Sequence, residues 1–209
     1  GFGQGADRDK SNKLKRADIG GGAPETLAPG TARGGTWSAD GVILFLPTTG
    51  STLSRVPASG GQAVAVTKLD RQTSHRFPSF LPDGRQFLFY AQGTPETAGI
   101  YLGSLDSAET RRLTPADTAG VYLSSGWLLW VRAGTLVAQR LDLGRKALTD
   151  DPVTLADPVA AVSVSAAGLV AYRAGGANRR QLAWFDRSGK ALGVMGAPDE
   201  NNLRAPSVS

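Results

Sequence analysis

Side chains able to do chemistry are sparse in this sequence. There is one histidine, His75, and no cysteine. A serine nucleophile needs a base beside it, and no Gly-x-Ser-x-Gly elbow occurs in the chain, so a hydrolase triad has no basis here. One imidazole without thiolates cannot fill a tetrahedral zinc shell unless three carboxylates or waters join it. Asp7, Asp9, Ser11 and Asp18 do fall at the first, third, fifth and twelfth positions of a calcium loop, with Leu14 at the eighth. Against that, Asn12 stands where the loop needs Gly, the last ligand is Asp rather than Glu, and basic residues inside the loop would repel the ion. An exposed hairpin loop is the expected reading. Gly1, Gly3 and Gly5 lack the strand-turn-helix context of a dinucleotide fingerprint. No catalytic residue, metal or cofactor is expected in these residues.

The composition bounds what could position a site. The 209 residues are 41% hydrophobic, which is enough to bury a core, and 27 Gly and 12 Pro are spread so evenly that few windows could hold a helix. The longest window free of both, residues 62–77, opens with the alternation Ala63 to Thr67 that suits a strand. The net charge of +5 is scattered, with its densest cluster at Lys10, Lys13, Lys15 and Arg16, and no aromatic residues are interleaved with the bases. That pattern describes a solvated face and argues against nucleic acid. The longest apolar runs, such as residues 42–46, are far shorter than a membrane span. The chain begins without Met or a signal sequence, so a processed chain or a segment of a longer one is expected.

The organising feature is a repeat. Gly41, Gly84, Gly126 and Gly168 lie 43, 42 and 42 residues apart, each in a turn between two apolar runs, as in "FLPDGRQFLFY". The first two turns read Asp-Gly, whereas Ser125 and Ala167 replace the Asp in the others. Each unit continues into a second strand ("LSRVPASGG", "IYLGSLDS", "LVAQRLDL") and a short last one ("AVAVT", "TRRLT", "PVTLA"). Counting the strand before the turn, this makes four strands in about 42 residues, the length of a propeller blade. The expected fold is all-β, a β-propeller of four-stranded blades. About five blades are covered: residues 1–28, 29–70, 71–114, 115–157 and 158–200, with 201–209 partial. The start "GFGQG" resembles a strand following a turn and "RAPSVS" a strand preceding one. Either the segment belongs to a larger ring, which is the expectation, or residues 203–209 pair with residues 1–28 to seal a fifth blade.

The phrase "FPSFLPDGRQFLFY…GIYLGSLDS…TRRLT" resembles the TolB-type propeller repeat across the whole chain. More narrowly, "ADIGGGAPETLA", "RGGTWSADGVILF" and "QLAWFDRSGK" are similar to the propeller that follows the kinase and membrane helix of many bacterial serine/threonine protein kinases. No glycine-rich loop with its lysine, His-Arg-Asp segment or Asp-Phe-Gly is present. The short connection between "PVTLA" and "AVSVSAAG" departs from the repeat. A shortened or missing inner strand is expected there.

In such a fold the starts of the first strands form the mouth of the central channel, which places Arg33, Thr36, His75, Arg76, Asn202 and Arg204 there as candidate ligand-binding residues. His75 reads either as a hydrogen-bonded loop histidine or as a ligand contact. The recurring aromatic residues, among them Trp37, Phe77, Phe89, Tyr101, Trp130 and Tyr172, are expected to pack between blades. The resemblance implies a non-catalytic sensor or interaction module, periplasmic or extracytoplasmic, that recognises a protein, a peptide or a small polar ligand. It leaves two alternatives: the gating propeller of a serine peptidase, and a TolB-like periplasmic scaffold.

Overall fold

The computed structural model describes residues 12–31, 33–165, 168–174, 180–185, 188 and 190–199. All of its regular elements are strands. A first pair, β1 (Lys13–Arg16) and β2 (Glu25–Pro29), is followed by three complete blades of sequential antiparallel strands. The first of these contains β3 (Gly35–Trp37), β4 (Val42–Phe45), β5 (Ser54–Pro57) and β6 (Val64–Ala65). The next contains β7 (Ser74–Phe80), β8 (Gln86–Gln92), β9 (Gly99–Ser104) and β10 (Ser107–Thr114). The third contains β11 (Val121–Leu123), β12 (Trp127–Arg132), β13 (Thr135–Asp142) and β14 (Ala147–Ala156). Two further pairs follow, β15 (Val159–Val164) with β16 (Val170–Ala174), and β17 (Arg180–Phe185) with β18 (Ala191–Asp199).

The hairpin between the first and second strands of each unit has one geometry. The amide of Gly41 donates to the carbonyl of Ser38, Gly84 to Leu81, Gly126 to Leu123 and Gly168 to Ser165, at 2.8 to 3.1 Å. All four glycines have φ between 64° and 88°. A four-residue turn closed by a left-handed glycine matches the twist of the flanking strands, and a side chain there would meet its own carbonyl. Pro82 sits at the second turn position, where its fixed φ is already correct.

The second strand of each blade is apolar on both faces, and alternation sends its side chains into different clusters. Ile43 and Phe45 pack with Leu27, Ala28 and Val56, while Leu44 and Leu46 pack with Phe87, Phe89 and Tyr101 of the next blade. Leu88 then joins Leu128 and Trp130, and Leu129 with Val131 joins Val159. Packing between blades thus holds Phe89, Tyr101 and Trp130 as expected, whereas Trp37, Phe77 and Tyr172 are exposed.

Two further expectations are corrected. The alternating run from Ala63 to Thr67 yields only the two-residue β6, because Val66 and Thr67 turn inward to the core. The inner strand after the short connection is neither missing nor shortened: β15 has six residues and pairs along β16. Asp157 and Pro158 alone bridge β14 to β15. The irregularity lies one strand further on, where β16 and β17 belong to separate sheets among the described residues.

Gly103 shows how tightly one face is packed. It lies opposite Phe87, and a Cβ on Gly103 would come within 2.6 Å of that ring. Gly103→Ala is expected to destabilise the protein by roughly 1–3 kcal/mol through overpacking. Most of the loss should be recovered in the Gly103→Ala/Phe87→Leu double variant. Urea unfolding of the four proteins of that cycle measures it, and additive effects would show that the ring is not the obstacle.

Candidate functional site

The first strands of successive blades lie side by side and run in the same direction, and two hydrogen bonds set their register. The amide of Phe77 donates to the carbonyl of Arg33 at 2.9 Å, and the amide of Phe80 to Oγ1 of Thr36 at 3.2 Å. These contacts place Arg33 and Thr36 against the strand that carries His75 and Arg76. Four of the six residues expected at the mouth therefore lie on two neighbouring segments. Asn202 and Arg204 lie outside the described residues.

His75 does not face the mouth. Its side chain has no exposed surface, and its ring packs 4.6 Å from the Phe89 ring. Nδ1 is 2.8 Å from Oγ1 of Thr67, which also accepts the amide of Leu53 at 3.0 Å. The backbone amide of His75 donates to Ser51 at 3.1 Å, so the residue ties its strand to the preceding blade. Nε2 is buried with no hydrogen-bond partner among the described residues. Charging this ring would place a cation away from solvent, and burial pushes its pKa from the ordinary 6.5 down to about 4. The loop histidine of the sequence reading is thus a neutral core group in a strand, and a ligand at the mouth does not meet its ring.

What the strand presents instead is Phe77. Its φ is 52°, the left-handed region that a bulky residue avoids, and the residue is 41% exposed. The strand bulges between Arg76 and Ser79, which breaks the two-residue alternation and re-aims the side chain. Gly34 makes room for this. It has φ of 84°, and a Cβ there would stand 2.9 Å from the Cα of Phe77.

The two arginines flank Phe77 in the chain register. Arg33 is exposed, and Arg76 is half-buried with Nε donating to Oγ of Ser74 at 3.3 Å. Neither has a carboxylate within ion-pair distance among the described residues. Arg76 pairs across the sheet with Tyr90. Burial raises the Tyr90 pKa, the carboxylate of Asp117 adds to the rise, and Arg76 opposes it. The two segments thus bring the exposed Phe77 and the residues Arg33 and Arg76 to neighbouring backbone positions, a combination of residue types that suits an anionic group carried next to an apolar one.

Sequential four-stranded antiparallel blades, joined through shared apolar clusters, make this chain a β-propeller of TolB-like type. Among solved structures it is similar to TolB from Acinetobacter baumannii, with a TM-score of 0.58 and 23% identity over 89% of this chain and 49% of that one. It is also similar to puromycin hydrolase, with a TM-score of 0.57 and 16% identity over 87% of this chain and 35% of that one. The chain spans about half the length of the first and about a third of the second. No protein-family model matches the chain, and no curated protein matches it.

The buried imidazole makes stability depend on pH. Its folded pKa of about 4 lies below the ordinary 6.5, so the unfolded chain binds the proton more readily between those values. The full contribution is present above pH 6.5 and is lost as pH falls toward 4, by roughly 3 kcal/mol. His75→Phe replaces the imidazole with a larger aromatic ring that cannot take up a proton and should remove this part of the pH profile. Denaturant unfolding of both proteins across that range tests it, and parallel profiles would show that His75 is not the titrating group.

Proposed function

We propose that this propeller is a non-catalytic interaction or ligand-sensing module that recognises a protein, a peptide or a small polar ligand bearing an anionic group. Arg33, Phe77 and Arg76 would contact it, and Thr36 would hold their two segments in register. The observation that carries this reading is the conformation of Phe77. A left-handed backbone at a bulky residue is disfavoured by roughly 1–2 kcal/mol, and such strain gathers where function requires a side chain to be held outward. The residue before a proline also favours extended backbone, and Pro78 follows directly.

The resemblance of the repeat to the propeller of bacterial receptor serine/threonine kinases supports placing the module in the extracytoplasmic part of such a receptor. A second reading has support in the likeness to puromycin hydrolase: the propeller of a hydrolase or serine peptidase, gating access to a catalytic domain elsewhere in the polypeptide. The likeness to TolB supports a third, a periplasmic scaffold.

Selection of a random peptide library against the protein tests the site. Recovered peptides should carry carboxylates next to apolar residues, and Arg33→Ala or Arg76→Ala should weaken their binding by about tenfold, the loss of one charge-assisted hydrogen bond. Phe77→Asn suits the left-handed backbone, so stability should stay within about 1 kcal/mol of the parent while binding is lost. Peptides that bind all three variants as well as the parent would refute the assignment. Mass spectrometry of the native polypeptide separates the settings: kinase peptides support the receptor, a Gly-x-Ser-x-Gly peptide the hydrolase.

A further inference from the structure

At the opposite end of the same inner strands the turns enclose a second concavity with different chemistry. A cleft of about 580 Å3 lies where β7, β11 and β15 end. Its lining includes the buried Leu81, the partly buried rings of Phe80 and Tyr122, and the serines Ser124, Ser125 and Ser165.

The charged groups nearby are already engaged. Arg140 donates through Nη1 to the carbonyl of Ser125 at 2.6 Å and lies over the Trp127 ring, 4.5 Å from its centroid. Asp83, next to Pro82, accepts from the amides of Arg85 and Gln86 at 3.0 and 2.9 Å and from Nε2 of Gln86 at 2.8 Å. Among the described residues no charged side chain lines the cleft. In the sequence, the turns that carry Asp40 and Asp83 are followed by turns that carry Ser125 and Ala167 at the matching position. Of the three turns that meet at the cleft, one keeps its carboxylate, in Asp83, and two have none at that position.

The hydroxyls are available. Those of Ser124 and Ser125 have no hydrogen-bond partner among the described residues, and that of Ser165 accepts the amide of Leu169 at 3.0 Å while keeping its own proton to donate. We propose that this cleft binds an uncharged saccharide of one or two rings. A sugar ring presents a C–H face that packs on Phe80 or Tyr122 and a rim of hydroxyls that both donate and accept, as serine hydroxyls do. The volume falls within the range of small-ligand sites. A phosphate or carboxylate would lose its hydration here without gaining a cation in return.

The test is titration calorimetry of the full-length protein with cellobiose, maltose and N,N′-diacetylchitobiose, and with glucose 6-phosphate and triglycine as comparators. At least one neutral disaccharide should bind at a single site with a Kd of about 1 mM or tighter. Ser125→Ala should weaken it by about tenfold, the loss of one hydrogen bond. Tyr122→Ala should weaken it more, whereas Tyr122→Phe, which keeps the ring, should stay within about threefold. Arg33→Ala, at the other end of the strands, should leave it unchanged, so failure here is separable from failure at the mouth. Absence of binding by all three disaccharides, preference for triglycine or the phosphate, or binding indifferent to Ser125 and Tyr122 would each overturn the proposal.

Discussion

A second strand that is apolar on both faces is the constraint from which the rest of this structure follows. Leu44 and Phe45 are neighbours in sequence, yet both are almost wholly buried, in different clusters on opposite sides of one sheet. The same holds for Leu88 and Phe89, and for Leu129 and Trp130. Each such side chain contributes roughly 1.5–3 kcal/mol when fully buried, and a blade alone could cover neither face. Blades are therefore stable only when stacked, as in other repeat architectures where each unit completes the core of the next. Aromatic rings reinforce one of these seams: Phe89 lies 5.5 Å from Tyr101 and 6.0 Å from Phe87.

Stacking also decides where strain can be stored. Because β3 and β7 are held by the seam behind them, their register is fixed, and Arg33 meets Phe77 as Thr36 meets Phe80. A left-handed phenylalanine would relax to extended backbone in a loose loop. Here the carbonyl of Arg33 holds its amide, Pro78 fixes the next φ, and Gly34 leaves the space its backbone occupies. The burial behind the strand offsets the strain in front of it.

Much of this was legible in the sequence because it is periodic. Four glycines at a spacing of about 42 residues announced the turns, and the apolar runs after them announced strands, three of which are buried on both faces. What escaped is what breaks the period. Phe77 and Phe80 are three residues apart, where a regular strand would place like residues two apart, and that spacing was the available signal of a bulge. His75 could not be placed, because its position beside Arg76 suggests the mouth while its facing partner, Thr67, comes from the end of another blade. The cleft beyond Leu81 is assembled from three turns far apart in the chain, and no local pattern encodes such an encounter.

The turns show why repeats of this kind can diverge in function without losing their fold. Their geometry rests on the glycine and on one backbone hydrogen bond, both kept in all four. The residue before the glycine is not a partner in that backbone bond and varies in the sequence from Asp40 and Asp83 to Ser125 and Ala167. Where it is Asp83, the carboxylate caps the amides that follow. Where it is Ser125, the backbone carbonyl is held instead by Arg140, which reaches across from the third strand of its own blade. The supporting bond has moved from the turn to the sheet, and the side chain is left free to face solvent or a ligand. Divergence at this position is therefore separated physically from the packing that makes the ring.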